Sequence, residues 1–363
     1  MRISIDAREL SGQPTGVGRY LDGLLGAWAR LPEARAHAFR FYTHAARDRT
    51  AFHDLGEARV IAGAGGTWWE QVQLRSALLQ DPPDVHFAPA YTAPFLTNIP
   101  LAATIHDLSF LAHPEWFGAR EGLRRRWLTR QTARTARVVL TDSDFSRGEI
   151  VERLGVAAAR VRRVYPGVHP APSMADSSSG ARSEPPLVLY AGSIFTRRRV
   201  PELIRGFETL HRRRRDIRLV IVGDNRTNPR ENFRTVLNDT ELARAVEIRP
   251  YVDQVSLDRL YARARAFAFL SDYEGFGLTP LEALSHGVPV LVQDTPIARE
   301  IYGKAALFVS AADSDGVGAA LERLLFDNQT RQALLAEAPS VLARYSWDLA
   351  GRETLAAIED AVP

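Results

Sequence analysis

Short runs of β-branched and aromatic residues alternate along the chain with longer amphipathic stretches. In the first half, the short runs have the length and composition of buried strands, and the longer stretches have apolar residues at helical spacing. The predicted strands are Arg2–Ala7, Phe39–Thr43, Val60–Gly63, Val85–Ala88, Ala102–Ile105, Val138–Thr141 and Val161–Tyr165. The predicted helices are Tyr20–Leu31, Trp68–Leu79 and Arg120–Ala136. This alternation is typical of a parallel sheet covered by helices.

The same alternation resumes near residue 187. Strand-like runs recur there, and amphipathic stretches separate them. The predicted strands are Leu187–Tyr190, Leu219–Val222, Val246–Arg249, Ala266–Leu270, Val288–Val292 and Ala306–Val309. The predicted helices are Pro201–Arg214, Leu257–Ala264, Pro280–Ser285 and a final Trp347–Ala361. The second half therefore has the same predicted architecture as the first.

A stretch without hydrophobic periodicity separates the two halves. Residues 171–186, APSMADSSSGARSEPP, have the composition of a linker. We therefore predict an α/β protein of two doubly wound, Rossmann-like domains that face each other across a cleft. The first domain spans 1–170, the second spans 187–345, and 346–363 form a terminal helix. Ligands bind such sheets at the carboxyl ends of strands, so the strand-to-helix turns are the first candidates for a site.

The amino-acid composition excludes several classes of functional site. The chain of 363 residues has no cysteine, which excludes disulfides, thiolate zinc sites, iron–sulfur ligation and a cysteine nucleophile. The first ten residues, MRISIDAREL, are interrupted by charges and lack the apolar core of a secretory signal. No apolar run approaches the roughly 20 residues needed to span a bilayer. We expect a cytoplasmic protein, soluble or peripheral at the inner face of the membrane.

A glycine-containing turn, PTGVGRY at residues 14–20, joins the first predicted strand to the first helix. Gly16 and Gly18 permit close backbone approach, and amides at a helix start favour phosphate. The dinucleotide fingerprint requires a third glycine at position 21, where this chain has Leu21. A nicotinamide or flavin site is therefore disfavoured. A flexible loop ahead of a helix explains the two glycines equally well.

Three arginines follow the first strand of the second half. In YAGSIFTRRRVPEL, residues 190–203, the strand ends near Gly192, and Arg197, Arg198 and Arg199 precede a helix that begins with a proline. Guanidiniums beside a helix amino terminus suit a diphosphate. The alternative is a solvated basic loop, as HRRRRD at 211–216 suggests for the far end of that helix. The position at the helix start favours a ligand role.

Two glutamates flank another helix start in SDYEGFGLTPLEALSHGVPV, residues 271–290. Thr279 and Glu282 have the spacing of a capping box, so a purely structural role for Glu282 is an alternative. Glu274 lies upstream in the loop and has no such explanation. Gly275 and Gly277 would let backbone amides face a ligand. The segment therefore combines two carboxylates with several amides.

These residues resemble the retaining glycosyltransferases of family 4, which have the two-domain GT-B fold. Glu274 and Glu282 have the spacing of that family's Glu-x7-Glu motif, and the densest resemblance lies in 251–310. The other motifs that carry the resemblance, in chain order, are GVGRY at 16–20, His106–Asp107 within TIHDLSFLAHPEWF, TDSDFS at 141–146, YPGV at 165–168, Gly192–Arg199 and IVGD at 221–224. The ordered series across both halves is specific, whereas Glu-x7-Glu alone is a loose pattern.

The resemblance implies roles for individual residues. Glu274 would contact the donor sugar, Glu282 the ribose hydroxyls, and His106 would face the transferred sugar. Arg197 and Arg198 would hold the diphosphate. The other residues implied to surround the donor are Gly16 (approaching from the opposite domain), Gly18, Ser193, Tyr251 and Val252 (beside the base), Gly275, Phe276, Gly277, Leu278 and Thr279. The helix 346–363 would cross back to the first domain.

One motif departs from the family. The family usually has Arg-Lys-Asn where this chain has Arg197, Arg198 and Arg199. Arg198 keeps the charge of lysine but not its compact geometry. We still expect diphosphate binding, and the role of Arg199 stays open.

The implied activity is retaining transfer of a hexosyl group, with mannose from GDP-mannose favoured, to a glycan or lipid-linked acceptor in polysaccharide or O-antigen assembly. The nucleotide sugar is a co-substrate, and no resident cofactor or metal is expected. Cations and helix amides would stabilise the departing diphosphate. The alternatives are a GT-B-like nucleotide-sugar epimerase and a non-catalytic two-domain sugar-binding protein. A phosphorylase would need a pyridoxal phosphate lysine, and Lys304 is the one lysine in the sequence.

The sequence offers two weaker candidates for a metal site. His106 and Asp107 are expected to form a buried hydrogen-bonded pair, and no second zinc ligand has a convincing spacing. Asp142-Ser143-Asp144 resembles the Asp-x-Asp metal clamp of the GT-A fold. We favour helix capping by Ser143 or Ser146 instead.

An arginine-rich helix is predicted within 116–137, WFGAREGLRRRWLTRQTARTAR. Arg126, Arg130, Arg134 and Arg137 share one face, which suits contact with an anionic membrane that carries a lipid-linked acceptor. A solvated helix face is the simpler alternative. No nucleic-acid partner is expected, because no recognised binding module accompanies the arginines.

Overall fold

The computed structural model describes residues 1–12, 16–46, 52, 54–172, 185–237 and 240–363. The chain forms two compact units. Unit 1 comprises Met1–Pro114, Ala119–Gly167 and Tyr345–Pro363, and unit 2 comprises Glu115–Gly118 and Val168–Arg344. The chain leaves unit 1 after Gly167, three residues before the predicted boundary at 170, and returns to it at Tyr345. Most of the predicted linker 171–186 lies outside the described residues.

Unit 1 is built on a parallel sheet of seven strands within the described residues, in the order β3-β2-β1-β4-β5-β6-β7. The chain starts in the middle of the sheet, builds outward to β3 and then returns to build the other side, which is a doubly wound topology. The strands are β1 (Arg2–Asp6), β2 (Ala38–Thr43), β3 (Gly56–Val60), β4 (Val85–Ala88), β5 (Leu101–Thr104), β6 (Val138–Thr141) and β7 (Val161–Arg163).

The predicted strand Val60–Gly63 is wrong. The strand that pairs with β2 is β3, so the apolar run begins where the strand ends. β3 lies at the edge of the sheet, and its residues are exposed or half-buried. Because an edge strand need not bury either face, its sequence GEARV carries little hydrophobic signal.

Helices connect the strands of unit 1. The main core of this unit contains the buried aromatic side chains Trp28, Phe41 and Phe87. The helices are α1 (Gly16–Arg30), α2 (Arg75–Gln80), α3 (Ser109–Ala112), α4 (Ala119–Thr135) and α5 (Asp144–Leu154).

The predicted helix Trp68–Leu79 is divided in two. A π-helical segment, Trp69–Leu74, leads directly into α2. Within the π segment, Trp69 and Glu70 are buried, and Trp69 packs with Tyr42. Such wider turns are rare and often occur at functional sites.

Unit 2 contains a six-stranded parallel sheet in its described part, in the order β10-β9-β8-β11-β12-β13. Its first strand again lies in the interior, so both units have the doubly wound architecture predicted from the sequence. The strands are β8 (Leu187–Ala191), β9 (Arg218–Val222), β10 (Val246–Arg249), β11 (Ala264–Phe269), β12 (Val290–Gln293) and β13 (Ala306–Val309).

Helices connect the strands of unit 2 and begin near their carboxyl ends. One contact between helices requires two glycines: a Cβ on Gly206 would lie 2.2 Å from Val317, and one on Gly318 would lie 2.1 Å from Thr209. The helices are α6 (Val200–His211), α7 (Thr240–Ala245), α8 (Gln254–Arg263), α9 (Leu278–Ser285), α10 (Pro296–Tyr302), α11 (Ser314–Phe326) and α12 (Asn328–Leu342).

The final helix, α13 (Trp347–Glu359), belongs to unit 1 although it follows unit 2 in the chain. It packs against α1, where Trp28 Nε1 donates to the carbonyl oxygen of Gly351 at 2.9 Å. Gly23 on α1 leaves room for Trp347, because a Cβ at Gly23 would lie within 2.4 Å of the indole ring. The last segment of the chain thus completes the core of the first unit.

Candidate active site

Arg198 and Glu274 meet at the carboxyl edge of the sheet in unit 2. Arg198 follows β8 and Glu274 follows β11, and these strands are parallel neighbours, so the loops after them lie side by side. Arg198 Nε donates to Glu274 Oε1 at 2.8 Å, and Nη2 donates to Oε2 at 3.3 Å. Arg198 Nη1 also donates to the Ser193 carbonyl oxygen at 2.8 Å. Such two-point pairs fix geometry as well as charge.

Arg197 lies beside this pair. Its Nε is 3.7 Å from Glu274 Oε1, which is an ion pair without a hydrogen bond. The guanidinium lies over the ring of Phe195 at 4.6 Å, and its buried Nε has no hydrogen-bond partner within the described residues. Ser271 Oγ donates to Glu274 Oε1 at 2.9 Å. The cluster therefore holds two cations around one carboxylate.

The charges in this cluster stabilise one another. Burial alone would raise the pKa of Glu274, but Arg198 and Arg197 outweigh burial and lower the pKa to about 2. Burial likewise opposes the charge of Arg198, and Glu274 raises the Arg198 pKa above its ordinary value. Both groups stay ionised at neutral pH. The cluster of Arg197, Arg198 and Glu274 therefore holds two cations and one anion.

Glu282 does not cap its helix. The helix α9 begins at Leu278, with Gly277 as the capping residue at φ 95° and no side-chain cap. Thr279 therefore lies within the first turn, and the capping-box alternative is wrong. Glu282 is 9% exposed, and its Oε2 accepts a hydrogen bond from the Tyr261 hydroxyl at 3.2 Å.

The loop that leads into α9 is held by a tyrosine. Tyr302 on α10 donates its hydroxyl to the Gly277 carbonyl oxygen at 2.9 Å. A Cβ at Gly277 would lie 2.2 Å from that hydroxyl, and the positive φ also favours glycine. Phe276 is buried beside this turn. The amides of Leu278 and Thr279 thus lie in the first turn of a fixed helix start.

The residues predicted to bind the base lie further along the carboxyl edge of the sheet in unit 2. Tyr251 and Val252 follow β10, the outermost strand on that side of the sheet. Tyr251 is 42% exposed, and its backbone N–H donates to Asp224 Oδ1 at 3.4 Å. Ser193 and Gly275 lie in the loops after β8 and β11, near Arg198 and Glu274.

Arg199 pairs with different carboxylates from those of the two other arginines. Its Nε donates to Asp272 Oδ2 at 2.5 Å, and its Nη1 lies 3.5 Å from Glu202 Oε1. The backbone of Arg199 has φ 47°, a left-handed conformation that is costly for this residue type. The structure therefore uses Arg199 to organise the start of α6 rather than to join Arg197 and Arg198.

In unit 1, His106 pairs with Asp142 and not with the adjacent Asp107. Nδ1 lies 2.7 Å from Asp142 Oδ2, and Nε2 lies 2.8 Å from the Pro89 carbonyl oxygen. Burial opposes the charged form, but Asp142 raises the pKa of His106. The expected pair of His106 with Asp107 is wrong, because Asp107 Oδ1 accepts from the amide and hydroxyl of Ser109. Both ring nitrogens are thus engaged inside unit 1.

The helix-capping interpretation of Asp142-Ser143-Asp144 is confirmed. Ser143 Oγ accepts from the Ser146 N–H at 3.0 Å at the start of α5.

The two glycines of unit 1 that were predicted to lie near the sugar donor are both in α1. Gly16 is the first residue of this helix, and Gly18 is buried. A Cβ at Gly16 would meet no atom within 4 Å.

A second charged cluster, which the sequence does not predict, follows β1. Arg8 Nη2 lies 2.9 Å from Asp6 Oδ2 and also contacts Glu70 Oε2. Both carboxylates are buried, and Thr92 Oγ1 donates to Glu70 at 2.6 Å. Burial raises the pKa of Asp6 to about 6, against the opposing effect of Arg8. No local motif marks this cluster, because Glu70 comes from the π-helical segment 62 residues away.

Within the described residues, no group of three or more His, Cys, Asp or Glu residues is placed to hold a metal ion. None of the helices in the part of the chain that the structure describes has the length and apolar character needed to cross a membrane.

Family models match both halves of the sequence. Residues 14–171 match the model described as Glycosyltransferase Family 4. Residues 175–341 match the model described as Glycosyl transferases group 1. The two matches together span most of the chain, and they meet within a few residues of the change from unit 1 to unit 2 at Gly167.

Individual proteins resemble the chain over most of its length. The O-antigen chain mannosyltransferase B of Escherichia coli is 26% identical over 259 residues, which are 69% of this chain and 68% of that protein. The alpha-D-kanosaminyltransferase of Streptomyces kanamyceticus is 26% identical over 271 residues, 70% and 69% of the two chains. The crystal structure of Anabaena HepE with UDP and glucose superposes with a TM-score of 0.74 at 17% identity and covers 99% of each chain. That structural likeness shows the GT-B fold.

Proposed function

Because this chain belongs to the glycosyltransferases, with a family 4 domain followed by a group 1 domain, we propose that it moves a mannosyl group from a nucleoside diphosphate sugar to a glycan or lipid-linked acceptor. The anomeric configuration is retained. The observation that carries the proposal is the Arg198–Glu274 pair, with Arg197 beside it, at the start of two helices. The E. coli relative named above is an O-antigen mannosyltransferase, which supports mannose and a polysaccharide product.

The chemical demand is the departure of a nucleoside diphosphate from the anomeric carbon. The bond from that carbon to the phosphate oxygen breaks while the acceptor oxygen forms a bond on the same face, and the acceptor proton passes to the departing phosphate. Fixed cations lower this barrier, because negative charge grows on the leaving oxygen. Arg198 has five N–H donors. Its three bonds to Glu274 and Ser193 leave capacity for a phosphate oxygen.

In the proposed reaction, Glu274 binds the sugar of the donor. The carboxylate is ionised, because its pKa lies at about 2, and it is fixed by Arg198 and Ser271. A fixed carboxylate accepts hydrogen bonds from sugar hydroxyls and stabilises positive charge that develops on the ring. Glu282 accepts the ribose hydroxyls, and the base lies beside Tyr251 and Val252. The amides of residues 275–279 contribute to phosphate and sugar binding.

Ligand-induced stabilisation tests donor binding. A diphosphate that binds the folded protein raises its melting temperature, so GDP, UDP and dTDP are compared on the wild-type chain. GDP is expected to give the largest shift. Arg198→Ala is expected to abolish the shift, whereas Arg212→Ala keeps it, since Arg212 is an exposed residue at the end of α6 paired with Glu208. Failure of all three nucleotides to shift the wild type contradicts the proposal.

Turnover and stereochemistry test the reaction. GDP-mannose is incubated with a lipid-linked glycan acceptor, and the one-bond C1–H1 coupling constant of the transferred mannose is measured by NMR, because the H1–H2 coupling of mannose is small in both anomers. The donor is an α-linked sugar, so retention predicts an α-linked product. Formation of an epimerised donor would favour the epimerase, and donor binding without any turnover would favour the non-catalytic sugar-binding protein.

The exposed face of α4 supports contact with an anionic bilayer. Leu123 and Trp127 are 64% and 49% exposed. Trp127 packs edge-on against Phe95 at 5.4 Å, and Leu96 in the same loop is also exposed. The same helix carries exposed arginines at positions 120, 124, 130 and 134. Apolar side chains flanked by cations suit insertion at a negatively charged surface, where a lipid-linked acceptor lies.

Vesicle flotation tests this surface. Binding to vesicles with anionic lipid is expected at low salt and is weaker at high salt, because screening reduces the electrostatic part. Leu123→Gln combined with Trp127→Gln should reduce binding. Leu349→Gln is the matched control, since Leu349 is an exposed leucine on α13. Equal flotation with neutral and anionic lipid would rule out the charge-based contact.

A further inference from the structure

Tyr261 lies behind the second glutamate of the candidate site. It sits on α8 and is fully buried. Its hydroxyl donates to Glu282 Oε2 at 3.2 Å and lies 3.4 Å from the Thr279 carbonyl oxygen. Because Glu282 and Thr279 both lie in the first two turns of α9, a single hydroxyl of α8 contacts the carboxylate and the backbone of the neighbouring helix.

The Tyr261 ring packs against two other aromatic rings. It stacks on His286 at 4.8 Å with 25° between the planes, and it packs on Phe267 at 5.8 Å. His286 in turn has its Nδ1 2.8 Å from the carbonyl oxygen of Glu282. The position of the hydroxyl is therefore set by two helices and a strand, and Glu282 is held at its carboxylate and at its backbone.

We propose that Tyr261 is a positioning residue for the nucleotide: its hydroxyl holds the Glu282 carboxylate in the orientation that receives the 2′- and 3′-hydroxyls of the ribose. This inference rests on the proposed function, which places the ribose at Glu282. A carboxylate has about four acceptor positions, so one bond from Tyr261 is compatible with two from a vicinal diol. A carboxylate that is already oriented loses less conformational freedom when the nucleotide binds.

A tyrosine with a purely structural role would respond differently to removal of its hydroxyl group. If the ring alone mattered, phenylalanine would fill the same space and leave nucleotide binding unchanged. If the hydroxyl positions Glu282, its removal should weaken binding only for ligands that carry ribose hydroxyls. A comparison of ribonucleotides with their 2′,3′-dideoxy forms therefore separates the two roles.

The experiment uses calorimetric titration of the full chain with GDP and UDP and with their 2′,3′-dideoxy forms. In Tyr261→Phe, the affinity for the ribonucleotide that binds should fall about tenfold, which corresponds to about 1.4 kcal/mol. The affinity for its dideoxy form should stay within about twofold. In turnover, KM for the donor should rise while kcat changes little, because the lost interaction exists before the reaction.

Tyr42→Phe is the matched control, because Tyr42 is equally buried in unit 1 and its hydroxyl has no hydrogen-bond partner among the described residues. Glu282→Gln provides the second measurement. In that background, Tyr261→Phe should no longer change the ratio of ribo to dideoxy affinity, since the two residues act through one contact. The ring is retained in Tyr261→Phe, and a melting curve establishes that each variant is folded.

The outcomes separate the two proposals. An unchanged ribo-to-dideoxy ratio in Tyr261→Phe, together with a reduced ratio in Glu282→Gln, overturns the role of Tyr261 and leaves the ribose site intact. An unchanged ratio in Glu282→Gln overturns the ribose role of Glu282, and the inference fails with it. Absence of nucleotide binding by the wild-type chain contradicts the proposed function itself.

Discussion

Arg198 and Glu274 form a largely buried two-point ion pair, with Nε to Oε1 at 2.8 Å and Nη2 to Oε2 at 3.3 Å. Their side chains are only 15% and 12% exposed. The pair links the loops after two neighbouring strands, so it serves the fold and the candidate chemistry together. A variant that breaks it should therefore affect both stability and turnover.

Arg198→Ala should lower stability by about 3–5 kcal/mol, because Glu274 would remain buried without its main partner. Turnover should fall by about 10²–10³-fold, the loss typical of removing one fixed donor from a developing negative charge. Arg198→Lys keeps the charge but loses the two-point geometry, and it should give intermediate values for both. Urea denaturation measures the change in unfolding free energy, and steady-state kinetics measure the change in turnover. A fully active, stable alanine variant would show that the pair has neither role.

The ionisation of Glu274 predicts a stability loss at acid pH. Its pKa of about 2 in the folded protein lies below the ordinary 4.5. The stabilisation is therefore complete above about pH 4.5 and disappears as the pH falls towards 2, with a total of about 3 kcal/mol. The difference in unfolding free energy between the wild type and Glu274→Gln should shrink over that range. A difference that stays constant between pH 7 and pH 2 would contradict the lowered pKa of Glu274.

The raised pKa of Asp6 predicts that stability falls as the pH rises, which is opposite to the effect of Glu274. Its pKa of about 6 in the folded protein exceeds the ordinary 3.8, so the folded chain keeps a proton that the unfolded chain releases. Stability should fall as the pH rises from about 4 to about 6, by up to about 3 kcal/mol. Asp6→Asn cannot titrate, so its stability relative to the wild type should increase over this interval. Denaturation at a series of pH values measures it, and a pH-independent difference would contradict the raised pKa.

Arg199 should tolerate substitution far better than Arg198. Arg199→Asn places a residue suited to the left-handed region at φ 47°. It also removes the ion pairs to Asp272 and Glu202, which are partly exposed. Because these effects oppose each other, we expect a change in unfolding free energy of less than about 1 kcal/mol and activity within about twofold of the wild type. A large loss of nucleotide binding would instead place Arg199 in the site.

The spacing of apolar residues along the chain predicted most helices and strands. It failed for an exposed edge strand and for a π-helical turn. The periodicity predicted α1 and most strands to within a few residues, because apolar spacing reports which face of an element is buried. It misplaced β3, whose residues are mostly exposed at the sheet edge. It also missed the π-helical turn at Trp69–Leu74, since helical spacing of apolar residues does not distinguish the two kinds of turn.

The sequence alone determined that the chain has two α/β halves, and that Arg197, Arg198 and Glu274 follow strands and precede helices. Only the tertiary structure decided which groups meet. Arg198 and Glu274 are 76 residues apart and touch because β8 and β11 are neighbours. His106 selects Asp142 over the adjacent Asp107 for the same kind of reason, because β5 and β6 are paired. Spacing along a chain specifies an element and its buried face, whereas the partner of a side chain depends on which elements the whole core brings together.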